Sequence, residues 1–148
     1  MRVTVSGSVK RSQADLFYLS QSYSRRLEWD VYLSEAYLIG NAVEAAIGVD
    51  SFCKSTSGSI MVSRYISYSP PMVAAVSMVK GPLILESFSG SWLFKPLAGG
   101  LTQVKFIYNF KTRPAWLRWL VEPLVAYLYR KDMERRLAAF KLWAESVS

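Results

Sequence analysis

Three charged residues stand on predicted strand faces that are otherwise apolar, and they are the best candidates for acid–base chemistry. These residues are Glu35, Arg64 and Glu86. If the three faces point inward, Arg64 would pair with one of the glutamates at the polar end of a pocket, because unpaired buried charges are costly. A carboxylate held there is a candidate general acid or base. The alternative, which we favour, is that bulges or strand ends place all three side chains in water.

Other catalytic groups are scarce. The sequence has no histidine, which excludes Ser-His-Asp and Cys-His catalysis and the commonest zinc sites. Its single cysteine, Cys53, is interpreted as a small core residue and not as a nucleophile. Tyr65 and Tyr68 fall on opposite faces of one predicted strand, so at most one of them should enter a pocket. We therefore expect no catalytic constellation, no metal and no cofactor.

The charge balance bears on partners. The formal net charge of the 148-residue chain is +7, which favours acidic partners such as nucleic acid, anionic lipid or an acidic protein. The basic residues are dispersed, however, and Asp132 and Glu134 interrupt the basic run 129–136. We interpret that run as a solvated helix face on which Asp132 pairs weakly with Arg136. Nucleic acid is not the expected partner, and a peripheral contact with an anionic membrane is a minority hypothesis.

Two stretches bear on location. The N-terminal residues alternate polar and apolar types, with no continuous apolar segment typical of a signal peptide. The run 115–129 contains Arg118, Glu122 and Pro123, and it is shorter than the ~20 apolar residues that a spanning helix needs. A reduced cytoplasmic location, with peripheral membrane contact as an option, is the expectation.

The elements that must position these residues follow from hydrophobic periodicity. A half-buried strand at 3–9 precedes two short helices, the first with Ser12 as its N-cap. Six strands separated by Gly and Pro breakers then run from Val31 to Lys111, as in an antiparallel meander. In the last of these, apolar and polar residues alternate over 102–111, which predicts one covered and one wet face.

A helix at the C-terminal end would provide the cover. Because an interior proline kinks or breaks a helix, we predict a short aromatic turn at 115–121 and a longer helix from about Pro123 to Glu145. The stripe predicted to face the sheet consists of Leu117, Leu120, Val121, Leu124 and Leu128.

This order of elements resembles that of the START-like, or SRPBCC, superfamily. The segments "ADLFYLSQSYSRRLEWD", "GSWLFKPLAGGLTQVKFIYNF" and "RPAWLRWLVEPLV" look like its polyketide cyclase/dehydrase and lipid-transport branch, which includes coenzyme-Q-binding proteins. The resemblance covers nearly the whole chain. It implies a single α+β helix-grip domain over residues 1–148, in which a curved antiparallel sheet of about seven strands wraps a long C-terminal helix.

In such a fold the inward aromatic residues line either a ligand cavity or a filled core. The candidate lining residues are Trp92, Phe94, Phe106 and Tyr108 from the strands, Leu120, Leu124 and Leu128 from the helix, and Arg64 and Glu86 as polar members. Trp116 and Trp119 lie off the leucine stripe, and we expect them near the cavity mouth.

The favoured function is binding, with transfer as an option, of a hydrophobic small molecule such as a lipid, an isoprenoid quinone or a polyketide-like aromatic. One alternative is a cyclase or dehydratase that works without histidine or metal. Another is a protein- or RNA-interaction module on the same fold, because a fold alone does not choose among functions. The sequence does not determine the oligomeric state.

Overall fold

A computed structural model describes all residues, 1–148. Seven strands and two α-helices account for most of the chain. The strands are β1 (Arg2–Val9), β2 (Leu33–Leu38), β3 (Asp50–Ser55), β4 (Ile60–Ser69), β5 (Val73–Lys80), β6 (Leu85–Pro96) and β7 (Thr102–Thr112). The helices are α1 (Gln13–Gln21) and α2 (Arg118–Ser146), with short 3-10 helices at Tyr23–Glu28, Ala98–Gly100 and Ala115–Leu117.

The strands form one antiparallel sheet in the order β1-β7-β6-β5-β4-β3-β2. Five neighbouring pairs are consecutive in sequence, and the sixth joins the first strand to the last. The sheet curls into a half-barrel around α2, which confirms the predicted helix-grip fold. Ser12 caps α1 as predicted, since its hydroxyl accepts a hydrogen bond from the Asp15 N–H at 3.3 Å.

The inner face of the sheet follows the predicted alternation best in β7. Thr102, Val104, Phe106, Tyr108 and Phe110 are all buried. The same face receives alternate buried residues from β6, and α1 closes one end of the core, where the Phe17 ring packs edge-on against Phe94 at 5.6 Å.

Bulges interrupt the alternation of inward and outward residues in several strands, and two of them bear on the predicted site. One lies between Leu85 and Ser87 in β6, and another lies between Tyr65 and Ser67 in β4. An extra residue shifts a two-residue period by one, so the side chains after the bulge exchange faces. The second bulge explains why Tyr65 and Tyr68 lie on the same side, with ring centroids 5.7 Å apart, and why the prediction of opposite faces was wrong.

Helix α2 is continuous through Pro123, so the predicted helix start at that residue was wrong. The separate aromatic turn covers only Ala115–Leu117, and Pro123 is the sixth residue of α2. The missing proline N–H leaves one carbonyl, that of Trp119, without its helical donor. Both residues are exposed, so water can satisfy that carbonyl.

The face of α2 that packs on the sheet is not the predicted leucine stripe. Its buried residues are Glu122, Met133, Arg136, Leu137, Phe140 and Ala144. Leu120, Leu124 and Leu128 are exposed on another face. Both faces show helical spacing, but only the buried one continues through the C-terminal half of α2, where the helix approaches β1. There the Leu137 side chain comes within 3.7 Å of the position that a Cβ on Gly7 would take.

Candidate ligand cavity

A cavity lies between the concave face of the sheet and α2. Its volume is about 130 Å³, and 23 residues line it, 13 of them hydrophobic. The lining comes from β2 to β7 and the loops between them, from the end of α1 and the segment that joins it to β2, and from three positions on α2: Tyr129, Asp132 and Arg136. The protein core is therefore not completely filled by its own side chains.

Aromatic rings form one wall of the cavity. The Trp92 ring stacks on Phe106 with centroids 4.5 Å apart, and Phe88 packs edge-on against Tyr108 at 4.6 Å. Tyr129 of α2 closes this wall from the helix side, 5.4 Å from the Tyr108 ring. Because these rings brace one another, the wall offers a rigid apolar surface to a bound molecule.

Small side chains contribute to the open space of the cavity. Ala74 and Gly90 face the cavity from β5 and β6, while Ser51 and Ser63 face it from β3 and β4. A Cβ on Gly90 would lie 3.5 Å from the Tyr108 ring and 3.8 Å from the Phe88 ring, which is ordinary van der Waals contact. The small size of these residues thus contributes to the open space.

A cluster of three buried charges forms the polar end of the cavity. Asp30 accepts hydrogen bonds from Arg136 Nε at 3.0 Å and Arg136 Nη2 at 2.9 Å, and from Arg26 Nε at 2.8 Å. Its Oδ1 also accepts the Tyr32 N–H at 3.2 Å. The third nitrogen of Arg136, Nη1, donates a hydrogen bond to the Tyr108 hydroxyl at 2.5 Å. Arg26 and Arg136 line the cavity, and Asp30 lies behind them.

The ionisation of this cluster follows from its geometry. Burial alone would raise the pKa of Asp30, but the charges and hydrogen bonds of Arg136 and Arg26 outweigh burial and hold the pKa at about 2. Asp30 is therefore ionised at neutral pH and cannot serve as a proton donor there.

The other titratable groups on the wall are poor acid–base catalysts. Burial raises the pKa of the Cys53 thiol and of the Tyr23 and Tyr108 hydroxyls, so all three keep their protons at neutral pH. The Tyr65 hydroxyl donates to Gln21 Oε1 at 2.7 Å. These groups can donate hydrogen bonds to a ligand, but none is a ready base.

The structure brings only some of the predicted lining residues to the cavity. Trp92, Phe106 and Tyr108 line it. Phe94 is buried beyond the wall, with its ring parallel to that of Trp92 at 6.1 Å, and does not line it. Leu120, Leu124 and Leu128 point outward from α2 and do not reach it either.

The predicted polar members do not reach the cavity. Arg64 lies on the outer face, where it forms a bidentate pair with Asp50 at 2.7 and 3.1 Å. The β6 bulge turns Glu86 outward to within 3.5 Å of Arg118, and a bulge in β2 accompanies an exposed Glu35. An inward ion pair among Glu35, Arg64 and Glu86 is therefore wrong, and the favoured alternative is correct.

Sequence reasoning missed the real polar cluster. Arg136 was assigned to a solvated helix face paired with Asp132, yet it is buried and pairs with Asp30. The pattern that identifies it is its helical spacing from Met133 and Phe140, which places it on the buried face of α2. No local pattern links it to Asp30, because 106 residues separate the two.

Metal ligands and membrane-spanning helices were the remaining features to look for. No group of three or more His, Cys, Asp or Glu side chains is arranged to hold a metal ion. None of the helices combines the length and apolar character needed to span a membrane.

A curved antiparallel sheet that closes on a long C-terminal helix over an internal cavity defines a protein of the helix-grip class. The chain belongs to the polyketide cyclase/dehydrase and lipid transport family, whose model matches residues 1–145. The expected family resemblance is thereby confirmed, and the family and the fold support a fold that binds hydrophobic ligands. No curated protein sequence matches the chain closely enough to stand as a relative.

Several solved structures share the fold at low sequence identity. A START superfamily protein from Mycobacterium smegmatis has a TM-score of 0.82 at 10% identity, with 99% of each chain covered. The Zhui aromatase/cyclase from Streptomyces sp. R1128 has a TM-score of 0.78 at 16% identity, covering 98% of this chain and 93% of its own. Norcoclaurine synthase from Thalictrum flavum, in complex with dopamine and hydroxybenzaldehyde, has a TM-score of 0.72 at 14% identity, covering 100% and 88%.

Proposed function

We propose that this protein is a single-domain binding protein that holds a hydrophobic small molecule in the cavity between its sheet and α2. The observation that carries the proposal is the cavity itself, which small residues on β3 to β6 leave open opposite an aromatic wall. Apolar burial contributes about 25 cal/mol per Å² removed from water, so each ~100 Å² of ligand surface that the cavity covers contributes roughly 2.5 kcal/mol before the costs of association.

The shape and chemistry of the wall support a planar or chain-like ligand. The Trp92 and Phe106 rings lie nearly parallel, at 17°, and present flat apolar surfaces. The candidate classes are lipids, isoprenoid quinones and polyketide-like aromatics. Among structures of the same fold, the Streptomyces protein is an aromatase/cyclase and the Thalictrum synthase was solved with two aromatic molecules, which agrees with a cavity for ring systems.

A cyclase or dehydratase is the second candidate function. The residues first considered for it, Glu35, Arg64 and Glu86, lie outside the cavity. Behind the cavity lining, Asp30 is ionised and accepts hydrogen bonds from two arginines. The raised pKa values of the Tyr23 hydroxyl and the Cys53 thiol keep both groups protonated. Asp132 is the only carboxylate among the residues that line the cavity. Binding without chemistry is therefore the better-supported function.

We also propose a peripheral contact with anionic membranes, by which ligand would be exchanged. The exposed residues Trp116, Trp119, Leu120, Leu124 and Leu128 form an apolar patch along the N-terminal half of α2 and the turn before it. Lys131 and Arg135 continue the exposed side of the helix with positive charge. An apolar face with adjoining basic residues is typical of helices that lie in a lipid interface.

The loop between β5 and β6 connects this patch to the cavity. Pro82 lines the cavity, and the next residue, Leu83, is almost fully exposed. The Ile84 carbonyl then accepts a hydrogen bond from the Arg113 N–H at 2.9 Å, close to the turn that bears Trp116. This arrangement supports the expectation that the two tryptophans lie on the side of the cavity mouth.

Native mass spectrometry of protein purified without detergent tests the proposed function. We expect a fraction of the protein to have a mass above the 16.8 kDa of the chain, and solvent extraction to release the small molecule responsible. Extraction of heat-denatured protein should release the same compound. A chain that purifies without ligand and binds no member of a panel of quinones, fatty acids and polycyclic aromatics would overturn the proposal.

A further inference from the structure

Arg26 is buried beside the cavity with only part of its hydrogen-bonding capacity used. Its side chain is 7% exposed, and only its Nε donates to a protein atom, Asp30 Oδ2 at 2.8 Å. The two terminal nitrogens have no protein acceptor. Trp29 Nε1 is the one side-chain nitrogen or oxygen atom that is fully buried and has no hydrogen-bond partner. The two terminal nitrogens of Arg26 are therefore not fully buried. Since Arg26 lines the cavity, these donors are available to a ligand.

Asp30 cannot satisfy both arginines. Its Oδ1 already accepts from Arg136 Nε and the Tyr32 N–H, and its Oδ2 accepts from Arg136 Nη2 and Arg26 Nε. A carboxylate has about four acceptor sites, so this one is saturated. Arg136 donates two hydrogen bonds to Asp30, whereas Arg26 donates only one.

The buried cluster therefore contains one more positive charge than negative charge. Two guanidinium groups, Arg26 and Arg136, face one carboxylate, Asp30, and all three side chains are at least nine-tenths buried. Buried charge without a counter-charge is costly, so the site favours an added anion. Asp132, the remaining carboxylate on the cavity wall, is only half-buried and also lines a second cleft, where Arg135 provides a further positive charge.

Aromatic packing holds the Arg26 guanidinium in place. Its Cζ lies 4.9 Å from the centroid of Trp29 and 5.5 Å from that of Tyr23. Tyr23 also lines the cavity, and burial raises the pKa of its hydroxyl, which remains a hydrogen-bond donor. A fixed guanidinium beside a neutral hydroxyl matches a carboxylate better than a neutral polar group.

From these contacts we propose that the cavity selects hydrophobic molecules that carry an ionised oxygen acid, such as a carboxylate, and that Arg26 is the ionic partner of that group. The inference rests on the proposed function and adds the chemical class of the ligand. The acid group would lie against Arg26 and Tyr23, and the apolar part would lie against the wall formed by Trp92 and Phe106.

Displacement of a neutral fluorescent probe by a matched pair of amphiphiles tests this subsite. N-phenyl-1-naphthylamine is bound to the full chain near neutral pH and then displaced by decanoic acid or by decanol. These have equal chain length and differ in the charged group. For the wild-type protein, we expect the acid to displace the probe at a concentration roughly tenfold or more below that of the alcohol.

Substitutions at Arg26 and Arg25 test which residue causes the preference for the acid over the alcohol. Arg26→Gln should reduce the preference for the acid over the alcohol to within about threefold. Arg25→Gln, which changes the neighbouring, partly exposed arginine outside the cavity lining, should keep the preference. If Arg26→Gln does not fold, the wild-type comparison and Arg26→Lys, which retains the charge and should retain a preference, still test the proposal.

The outcomes separate this inference from the proposed function. Equal displacement by acid and alcohol, or a preference that survives Arg26→Gln, would overturn the anion subsite and leave the hydrophobic cavity intact. Failure of the probe and of both amphiphiles to bind would overturn the proposed function and the subsite together.

Discussion

Asp30 and Arg136, 106 residues apart, form a buried bidentate ion pair with N–O distances of 3.0 and 2.9 Å. Asp30 follows the 3-10 helix Tyr23–Glu28, and Arg136 lies on the inner face of α2. The pair therefore fixes the long helix to the segment before β2 and forms the back of the cavity. Its integrity should affect both stability and binding.

Replacement of Asp30 by Asn should destabilise the protein strongly. The substitution leaves two buried guanidinium groups without a counter-charge, and breaking a buried pair in this way costs about 3–5 kcal/mol. Urea denaturation followed by circular dichroism measures the change in the free energy of unfolding. Asp50→Asn, which breaks the exposed pair with Arg64, is the matched control and should change stability little. Equal effects of the two substitutions would contradict this role for Asp30.

Stability should fall in acid because of Asp30. The folded protein holds the pKa of this carboxyl at about 2, below its ordinary value. The stabilisation is therefore complete above the ordinary pKa of ~3.9 and is lost as the pH falls towards about 2, and it amounts to about 2–3 kcal/mol. Urea titrations at intervals from about pH 5 to pH 2 measure it. A stability that stays constant across this window would contradict the assigned ionisation.

Vesicle binding should depend on the exposed tryptophans. Trp116 and Trp119 are each 74% exposed, and insertion into a lipid interface would shift their fluorescence to shorter wavelength. We expect the shift with equimolar phosphatidylglycerol and phosphatidylcholine vesicles, and a weaker one with phosphatidylcholine alone. The Trp116→Ser/Trp119→Ser protein should sediment with anionic vesicles at least ~5-fold less.

Leu142→Ser is the control for that experiment, since Leu142 is similarly exposed on the same helix but far from the patch. Its vesicle binding should equal that of the wild-type protein. An absence of both the spectral shift and sedimentation in the wild-type protein would leave the tryptophans without a membrane role.

Much of the fold could be predicted because its determinants are local. The alternation in β7 identified its buried face, Gly and Pro breakers separated the strands, and Ser12 marked the start of α1. The order of these elements was enough to indicate the helix-grip class. Strand periodicity and caps depend on neighbouring residues, so a sequence displays them directly.

The site was harder to predict because its determinants are not local. A single extra residue at the β6 bulge turned Glu86 outward, although its spacing from Phe88 predicted a shared face. On α2 two apolar faces competed, and only packing against the sheet selects the one with Met133 and Phe140. The pairing of Asp30 with Arg136 depends on tertiary structure alone.

A substitution that fills the cavity shows whether the cavity holds a hydrophobic ligand. Val76 faces the cavity from β5, and the next residue, Ser77, is not part of the lining. We predict that wild-type protein binds N-phenyl-1-naphthylamine at one saturable site, that Val76→Trp weakens binding roughly tenfold or more, and that Ser77→Trp does not. Circular dichroism should confirm that both variants are folded. Equal binding by all three proteins, or no saturable binding by the wild type, would show that the cavity is not the site of a hydrophobic ligand.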